Sequence, residues 1–278
     1  MAPLAHTLAL LAMTVATGAI KVKPLDISQN SFDDQYQGCG PAMTATLPAL
    51  NYSEFQKNPF FAWAWTEAVA EWQRRGSPVS PLASPDQAIA IMAFMTYSCL
   101  RTIFTLSMRV AGRSPQEYRD NFHYKTLHFL LTDALATLRG TQKRKCLDVL
   151  YRDCGVLFQA QHGNTIRFSQ FTAMSLSKPT EGCTVETVFQ VHTCHGVDIG
   201  LFSKYPENKE VLIPPFETFE VTQVTQEGNK SQIWLRSTGT FSKYNCEWLK
   251  GGTISMAPFH LGGLVLATTA LAMATEVL

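Results

Sequence analysis

The chain has 278 residues, a formal net charge of +1 and a pI of about 7.6. This length suffices for one large domain or for two small domains that share a core. The balanced charge gives no general argument for a nucleic acid or an anionic membrane surface as partner, and we predict no nucleic-acid partner.

The N-terminus predicts an exported protein. Residues 3–19 form an apolar run without acidic residues, and Thr17 and Ala19 occupy the −3 and −1 positions of a cleavage site. This pattern is typical of a secretory signal peptide, which we place at residues 1–19. A membrane anchor is the alternative, although the segment is short for one.

Residues 20–145 predict a mainly helical region. Residues 53–76 carry aromatic and aliphatic side chains at helical spacing and end at a glycine, which predicts one helix. Residues 86–111 predict a second, mostly helical region, opened by a Ser-Pro-Asp cap. The sequence from Ser114 begins like a capped helix. Residues 125–140 place apolar side chains on one face and close at a glycine.

Residues 146–250 predict short strands separated by turns. Gly228 and its neighbours form a turn between the last two runs, which predicts a hairpin. Because helices and strands are segregated, we predict an α+β fold in which a helical N-terminal half packs on a mainly β half. The predicted strand runs are CLDVLYR, NTIRFSQFTAM, ETVFQVHTC, KEVLIPP, ETFEVTQVT and SQIWLRST.

The C-terminus predicts a lipid anchor. Small residues at 251–253 precede a short spacer and the uncharged segment 261–274, and no basic cluster follows. This order matches a glycosylphosphatidylinositol signal, which we place at residues 251–278. A true membrane span is the alternative, but the apolar stretch is below the roughly 20 residues that a bilayer requires. We expect the protein on the extracellular face of the plasma membrane, or secreted.

Cysteines and glycosylation sequons agree with export. Asn51 and Asn229 each begin an Asn-x-Ser sequon. Seven cysteines in an exported chain indicate disulfides with at least one cysteine left over. His195 follows Cys194 directly, which is not the spacing of a zinc site, so no metal is predicted. The chain also lacks P-loop, GxGxxG, GxSxG and HExxH motifs.

Three strand-like segments carry a family resemblance. They are VLYRD at 149–153, IRFSQFTAMSLS at 166–177 and KEVLIPPFETFEV at 209–221, in this order. They resemble the vertebrate arginine-specific ecto-mono-ADP-ribosyltransferases, whose active site is summarised as Arg, Ser and Glu-x-Glu on three strands. Segments at 31–39, 122–132 and 237–250 resemble the same family. The resemblance covers residues from about 25 to 250 and implies one ADP-ribosyltransferase domain over residues 20–250.

The resemblance implies NAD or NADP as a substrate, with no prosthetic group. Arg152 would hold the phosphates or the nicotinamide-side ribose through fork-like hydrogen bonds. Glu210 would bind the ribose 2′-OH and stabilise the positive charge that develops as nicotinamide leaves. Phe189 would offer an aromatic surface to nicotinamide, with core packing as the alternative.

Three positions depart from the family pattern. Ala173 stands where the first serine of Phe-x-Ser-x-Ser is expected. Ser175 lies two residues on, on the same side of a strand, and is the candidate to replace it in catalysis and NAD binding. Asn208 replaces the first glutamate of Glu-x-Glu; it can accept a hydrogen bond but is no base near neutral pH. Asp153 replaces a glycine, and its carboxylate is expected to repel NAD.

The predicted function is transfer of ADP-ribose from NAD to arginines of extracellular or membrane proteins, with release of nicotinamide. Two alternatives stay open, an NAD glycohydrolase and a catalytically silent surface-binding protein. The resemblance also implies two disulfides, Cys39–Cys246 and Cys146–Cys194. Cys99, Cys154 and Cys183 remain, and the last two could pair.

Overall fold

The computed structural model describes residues 20–143, 145–177, 182–203 and 206–250. The predicted signal peptide at 1–19 and anchor signal at 251–278 therefore lie outside the described residues. Within that part of the chain, the helices are α1 Gly40–Lys57, α2 Pro59–Arg74, α3 Pro85–Thr96, α4 Ser98–Ala111, α5 Pro115–Asn121, α6 Lys125–Thr141 and α7 Glu247–Lys250.

The strands form one large mixed sheet and a small parallel pair. The large sheet has the order β4-β9-β10-β6-β2-β5-β8-β7, and β1 pairs with β3. The predicted α+β fold is confirmed, since six helices precede the strands of the large sheet. The strands are β1 Lys21–Pro24, β2 Leu147–Cys154, β3 Val156–Gln159, β4 Thr165–Arg167, β5 Thr172–Ser175, β6 Glu186–Thr193, β7 Val197–Asp198, β8 Glu210–Ile213, β9 Glu217–Glu227 and β10 Lys230–Thr240.

The single helix predicted over 53–76 is wrong, because the chain breaks between α1 and α2. Pro59 has no N–H and disfavours the helical conformation of the residue before it. Asn58 accordingly adopts φ −136° and ψ 79°, and its side chain accepts a hydrogen bond from the Phe61 N–H at 3.0 Å. The break is therefore also the N-cap of α2.

The predicted helical region at 86–111 consists of α3 and α4, which meet at an angle of 100°. Ser84 caps α3 by accepting from the Gln87 N–H at 3.3 Å, as its Ser-Pro-Asp sequence predicts. Every residue from Gln87 to Met95 is buried, so α3 is a central core helix. No single helix in the described ranges is long and apolar enough to cross a membrane; α3 and α4 pass that test only as a bent pair.

Two buried clusters hold the sheet in place. The larger cluster joins the helices to one face of the sheet and includes Phe94, Leu131 and Leu212. The smaller cluster lies on the other face and includes Val211. Because Leu212 and Val211 are neighbours, β8 is buried on both faces, and each side chain contributes about 1.5–3 kcal/mol by its burial. The strand that begins at Glu210 is thus rigidly placed.

The run NTIRFSQFTAM, predicted as one strand, forms two strands in different parts of the sheet. β4 pairs with β9, whereas β5 pairs with β2 and β8. Arg167 is the last residue of β4, and its buried guanidinium forms an ion pair with the buried carboxylate of Asp33. That pair ties the run to the N-terminal segment, and the chain crosses to the other side of β2 before β5 begins.

The structure contains the two predicted disulfides, Cys39–Cys246 and Cys146–Cys194, and a third between Cys154 and Cys183. Cys99 is free and exposed. Cys39–Cys246 spans 207 residues of sequence and links the start of α1 to the start of α7. A loop of this length stabilises the fold by about 5 kcal/mol in the chain-entropy account.

The predicted hairpin is confirmed, with Gly228 and Asn229 as the turn between β9 and β10. Gly228 has φ +56°, a conformation that glycine adopts readily. Asn229 is exposed at this turn, as a glycosylated asparagine must be. Asn51 is half-buried within α1, and its side-chain oxygen is buried.

Candidate active site

Strand register brings three predicted site residues to one face of the sheet. Ser175 on β5 lies opposite Glu210 on β8 and opposite Leu150 on β2. Directly paired residues share a face, and Arg152 is two residues along β2 from Leu150. Arg152, Ser175 and Glu210 therefore all face the same side.

These side chains line a cleft of about 490 Å³. β2 and β5 are paired at one position only, Leu150 with Ser175, so the two strands separate beyond it. Arg152 stands on one side of this separation and Glu210 on the other. The cleft is lined by Leu150, Tyr151, Arg152, Ala173, Met174, Ser175, Ser177, Glu207, Asn208 and Glu210.

The Arg152 side chain is positioned by a neighbouring carboxylate on β6. Its Nε lies 3.2 Å from Glu186 Oε2, and Lys230 Nζ lies 3.6 Å from the other carboxylate oxygen. The Cys183 N–H donates to Glu186 Oε2 at 2.9 Å, and this bond, followed by Arg152 and Lys230, lowers the pKa of Glu186. The contact with Glu186 is an ion pair whose geometry is not that of a hydrogen bond, and within the described ranges no hydrogen bond to the guanidinium is found. Its two terminal nitrogens therefore remain available to a ligand.

Glu210 begins β8 directly after a turn. Its side-chain carboxylate accepts a hydrogen bond from the Ser203 hydroxyl, and its backbone carbonyl accepts from the Ile199 N–H at 3.0 Å. Lys209 has φ +47°, which sets the sharp change of direction into the strand. Sequence reasoning missed Ser203, since no motif marks it and only the fold brings it to Glu210.

Ser175 faces the cleft, and within the described residues its hydroxyl is hydrogen-bonded to backbone groups and not to the Glu210 carboxylate. Its hydroxyl donates to the Asn208 carbonyl at 3.0 Å and accepts from the Ser177 N–H at 3.0 Å. The Leu176 N–H donates to the Lys209 carbonyl at 3.2 Å. Ser175 thus fastens the turn that precedes β8, which positions Glu210 indirectly. Asn208 is exposed at the rim of the cleft.

The structure does not bring Phe189 to this cleft. Phe189 pairs with Tyr151 on β2, so it points to the opposite face from Arg152. Its side chain is 1 % exposed and packs against the rings of Tyr151, Phe158 and Phe168. Core packing, the alternative considered above, is therefore its role in this fold.

Asp153 also points away from the cleft, because neighbouring residues of a strand face opposite sides. It lines a separate cavity of about 220 Å³ that also contains Lys23 and Arg109. Burial raises the pKa of its carboxyl group, and the nearby lysine opposes that shift. The repulsion of NAD predicted from its sequence position is therefore weakened by its orientation.

Among the residues that the structure describes, one group of side chains has metal-ligand spacing. Cys146, His192 and Cys194 place their ligand atoms within 4.8 Å of one another. The two sulfurs are joined in a disulfide, so neither is a thiolate. The group thus lacks the charged ligands that a tetrahedral metal site needs.

Comparison with known proteins agrees with this geometry. The family model for NAD:arginine ADP-ribosyltransferase matches residues 25–243. The Gallus gallus erythroblast NAD(P)(+)--arginine ADP-ribosyltransferase is 46% identical over 236 residues, covering 84% of this chain and 78% of its own. The Homo sapiens GPI-linked NAD(P)(+)--arginine ADP-ribosyltransferase 1 is 39% identical, covering 85% of this chain and 78% of its own.

A solved structure matches as well. The crystal structure of the mono-ADP-ribosyltransferase ART2.2 superimposes with a TM-score of 0.67 at 31% identity, covering 81% of this chain and 98% of that protein. A mutant of ART2.2 has been solved in complex with NAD. With the family model spanning most of the chain and relatives well above 30% identity, this chain belongs to the NAD:arginine ADP-ribosyltransferase family.

Proposed function

We propose that this protein transfers ADP-ribose from NAD or NADP to arginine side chains of extracellular or membrane proteins and releases nicotinamide. The observation that carries the proposal is the strand register, which places Arg152 and Glu210 on opposite sides of one cleft. The relatives named arginine ADP-ribosyltransferases, and the NAD complex of ART2.2, support the same reaction.

Arg152 would bind the anionic part of the dinucleotide. The Glu186 carboxylate forms an ion pair with its Nε, which leaves the terminal nitrogens directed away from that carboxylate. Its terminal nitrogens can then donate two parallel hydrogen bonds to phosphate oxygens. This contact anchors NAD so that the bond between nicotinamide and ribose lies deeper in the cleft, toward β8.

Glu210 would stabilise the cation that forms when this bond breaks. The bonding electron pair leaves with nicotinamide, and positive charge develops on the ribose carbon and ring oxygen. A preorganised carboxylate near that charge lowers the barrier. The Ser203 hydroxyl holds Glu210 in position, while Ser175 fixes the turn before it. Ser175 is thus a positioning residue, and Ala173 supplies no hydroxyl of its own.

NAD glycohydrolysis is the second candidate function, and the residue at 208 favours it. Asn208 at the rim of the cleft offers a neutral amide where a carboxylate would bind a guanidinium. Water needs no such ligand in order to attack the ribose carbon. A scaffold that only binds a partner at the cell surface is the remaining alternative.

One assay separates these functions. The purified protein is incubated with labelled NAD, with and without agmatine as an arginine analogue. Labelled agmatine supports transfer, whereas free ADP-ribose and nicotinamide alone support hydrolysis. Glu210→Gln should lower turnover by about 100-fold to 1,000-fold, and Glu220→Gln, on β9 at the other side of the sheet, is the matched control. No NAD consumption by the wild-type protein at high concentration would refute both enzymatic functions.

We further propose that a lipid anchor attached near residue 251 holds the protein on the cell surface. GPI-linked relatives support this, as does the small-residue, spacer and apolar-tail order of residues 251–278. Phosphatidylinositol-specific phospholipase C should release the protein from intact cells. Retention after complete digestion of a known anchored protein would contradict the anchor.

A further inference from the structure

One carboxylate in the cleft has no role in the reaction described so far. Glu207 lies in the short 3-10 turn Pro206–Asn208 and lines the same cleft as Arg152 and Glu210. Its side chain is exposed. Across the described ranges it forms no ion pair or hydrogen bond, so its carboxylate is available to a ligand that enters from solvent.

The acceptor in the proposed reaction requires such a group. A free arginine guanidinium is protonated at neutral pH and must lose a proton when its nitrogen bonds to carbon. A carboxylate can both orient the guanidinium by charge-assisted hydrogen bonds and take that proton. Asn208 can only accept a neutral hydrogen bond. Glu210 is already bonded to Ser203 and is assigned to the ribose.

The backbone around Glu207 is fixed to the sheet. Asn208 accepts from the Ser175 hydroxyl at 3.0 Å, and Lys209 accepts from the Leu176 N–H at 3.2 Å. Lys209 adopts φ +47°, which turns the chain from the cleft rim into β8. Glu207 is therefore held at the mouth of the cleft, on the side where a protein surface would approach.

We propose that Glu207 is the catalytic residue that binds the acceptor arginine, in place of the carboxylate absent at position 208. This inference rests on the proposed transferase function. The bond from ribose C1′ to the nicotinamide nitrogen breaks, and its electron pair leaves with nicotinamide. A guanidinium nitrogen then bonds to C1′, and its proton passes to the Glu207 carboxylate and on to water. The chain thereby retains arginine transfer despite Asn208.

The test compares transfer with hydrolysis in the same protein. Glu207→Gln should lower the ratio of agmatine ADP-ribosylation to NAD hydrolysis by at least about 100-fold, the lower end of the usual range for removing a general base. The double variant Glu207→Gln/Asn208→Glu, which moves the carboxylate by one residue, should restore much of the ratio. Glu227→Gln, an exposed glutamate beside the β9–β10 turn, is the matched control and should behave as wild type.

Each outcome bears on a different claim. A wild-type transfer ratio in Glu207→Gln, with NAD still consumed, would overturn the role of Glu207 and leave the proposed function standing. Wild-type protein that hydrolyses NAD but never labels agmatine would refute the proposed transferase function, and the role of Glu207 with it. Absence of any NAD consumption by the wild type would refute both transfer and hydrolysis, and this inference with them. Far-ultraviolet circular dichroism confirms that each variant is folded.

Discussion

His128 should make the folded protein sensitive to acid. It lies in α6, fully buried, and its ring packs against Phe32 and Phe171 with centroid distances of 5.0 and 5.4 Å. Its Nδ1 and the Tyr36 hydroxyl form a hydrogen bond of 2.8 Å. Burial lowers the pKa of His128 from 6.5 to about 3. The imidazole is therefore neutral in the folded protein across the physiological range.

The sign and size of the effect follow from proton linkage. Below pH 6.5 the unfolded chain binds a proton at His128 that the folded chain does not bind. The free energy of unfolding therefore decreases as the pH is lowered from 6.5 to about 3. At pH 5 the loss relative to pH 7.5 is about 2 kcal/mol. This figure changes little for any folded pKa below about 4, since the folded histidine is then still neutral at pH 5.

Urea unfolding of wild type and His128→Gln at pH 7.5 and pH 5 measures this directly. The variant is expected to have a lower free energy of unfolding than the wild type at both pH values, because its packing is poorer. Between pH 7.5 and pH 5, however, its free energy of unfolding should decrease by about 2 kcal/mol less than that of the wild type. His162→Gln, at an exposed position, is the control and should leave the wild-type difference unchanged. Equal pH dependence in His128→Gln and wild type would refute the reasoning.

Three further predictions concern the site and the core. Glu186→Gln should raise the KM for NAD by about 3-fold to 10-fold with a smaller change in kcat, because Arg152 loses its charged support; an unchanged KM would contradict this role. Ser203→Ala should lower kcat by about 10-fold without changing the free energy of unfolding by more than 1 kcal/mol, and an unaltered kcat would exclude Ser203 as the residue that holds Glu210. Asp33→Asn should destabilise the fold by about 3–5 kcal/mol in urea unfolding, since it leaves Arg167 buried without its counter-charge; exposed Asp148→Asn is the control, expected below 1 kcal/mol.

Local sequence signals predicted much of the fold. Ser84 and Ser114 cap their helices as their sequences indicate, and Gly228 forms the predicted turn. The break at Asn58 was also readable, because a proline follows it, but the helical spacing of aromatic residues on both sides outweighed that signal in the prediction. Local patterns thus locate elements better than they locate interruptions.

The sequence predicted which strands carry the site, but not which side chains around them share the cleft. The opposite orientation of Asp153 follows from alternation along β2 and could have been stated from sequence. The burial of Phe189 depends on the register between β2 and β6, which no local pattern specifies. Ser203 and Glu207 depend on how the segments before β8 fold back on the sheet. These tertiary placements decide which polar groups share the cleft.

The single residue pair that joins β2 to β5 divides the large sheet into two slabs. Arg152 and its carboxylate support belong to the slab of β2, β6 and β10, whereas Ala173, Asn208 and Glu210 belong to the other slab or to the turn that enters it. Substitutions on the second slab can change the residues around Glu210 without repacking the strands that hold Arg152. Both family departures that face the cleft, Ala173 and Asn208, fall on that second slab or on the turn that enters it, so the surroundings of Glu210 can vary while the Arg152 side of the cleft stays intact.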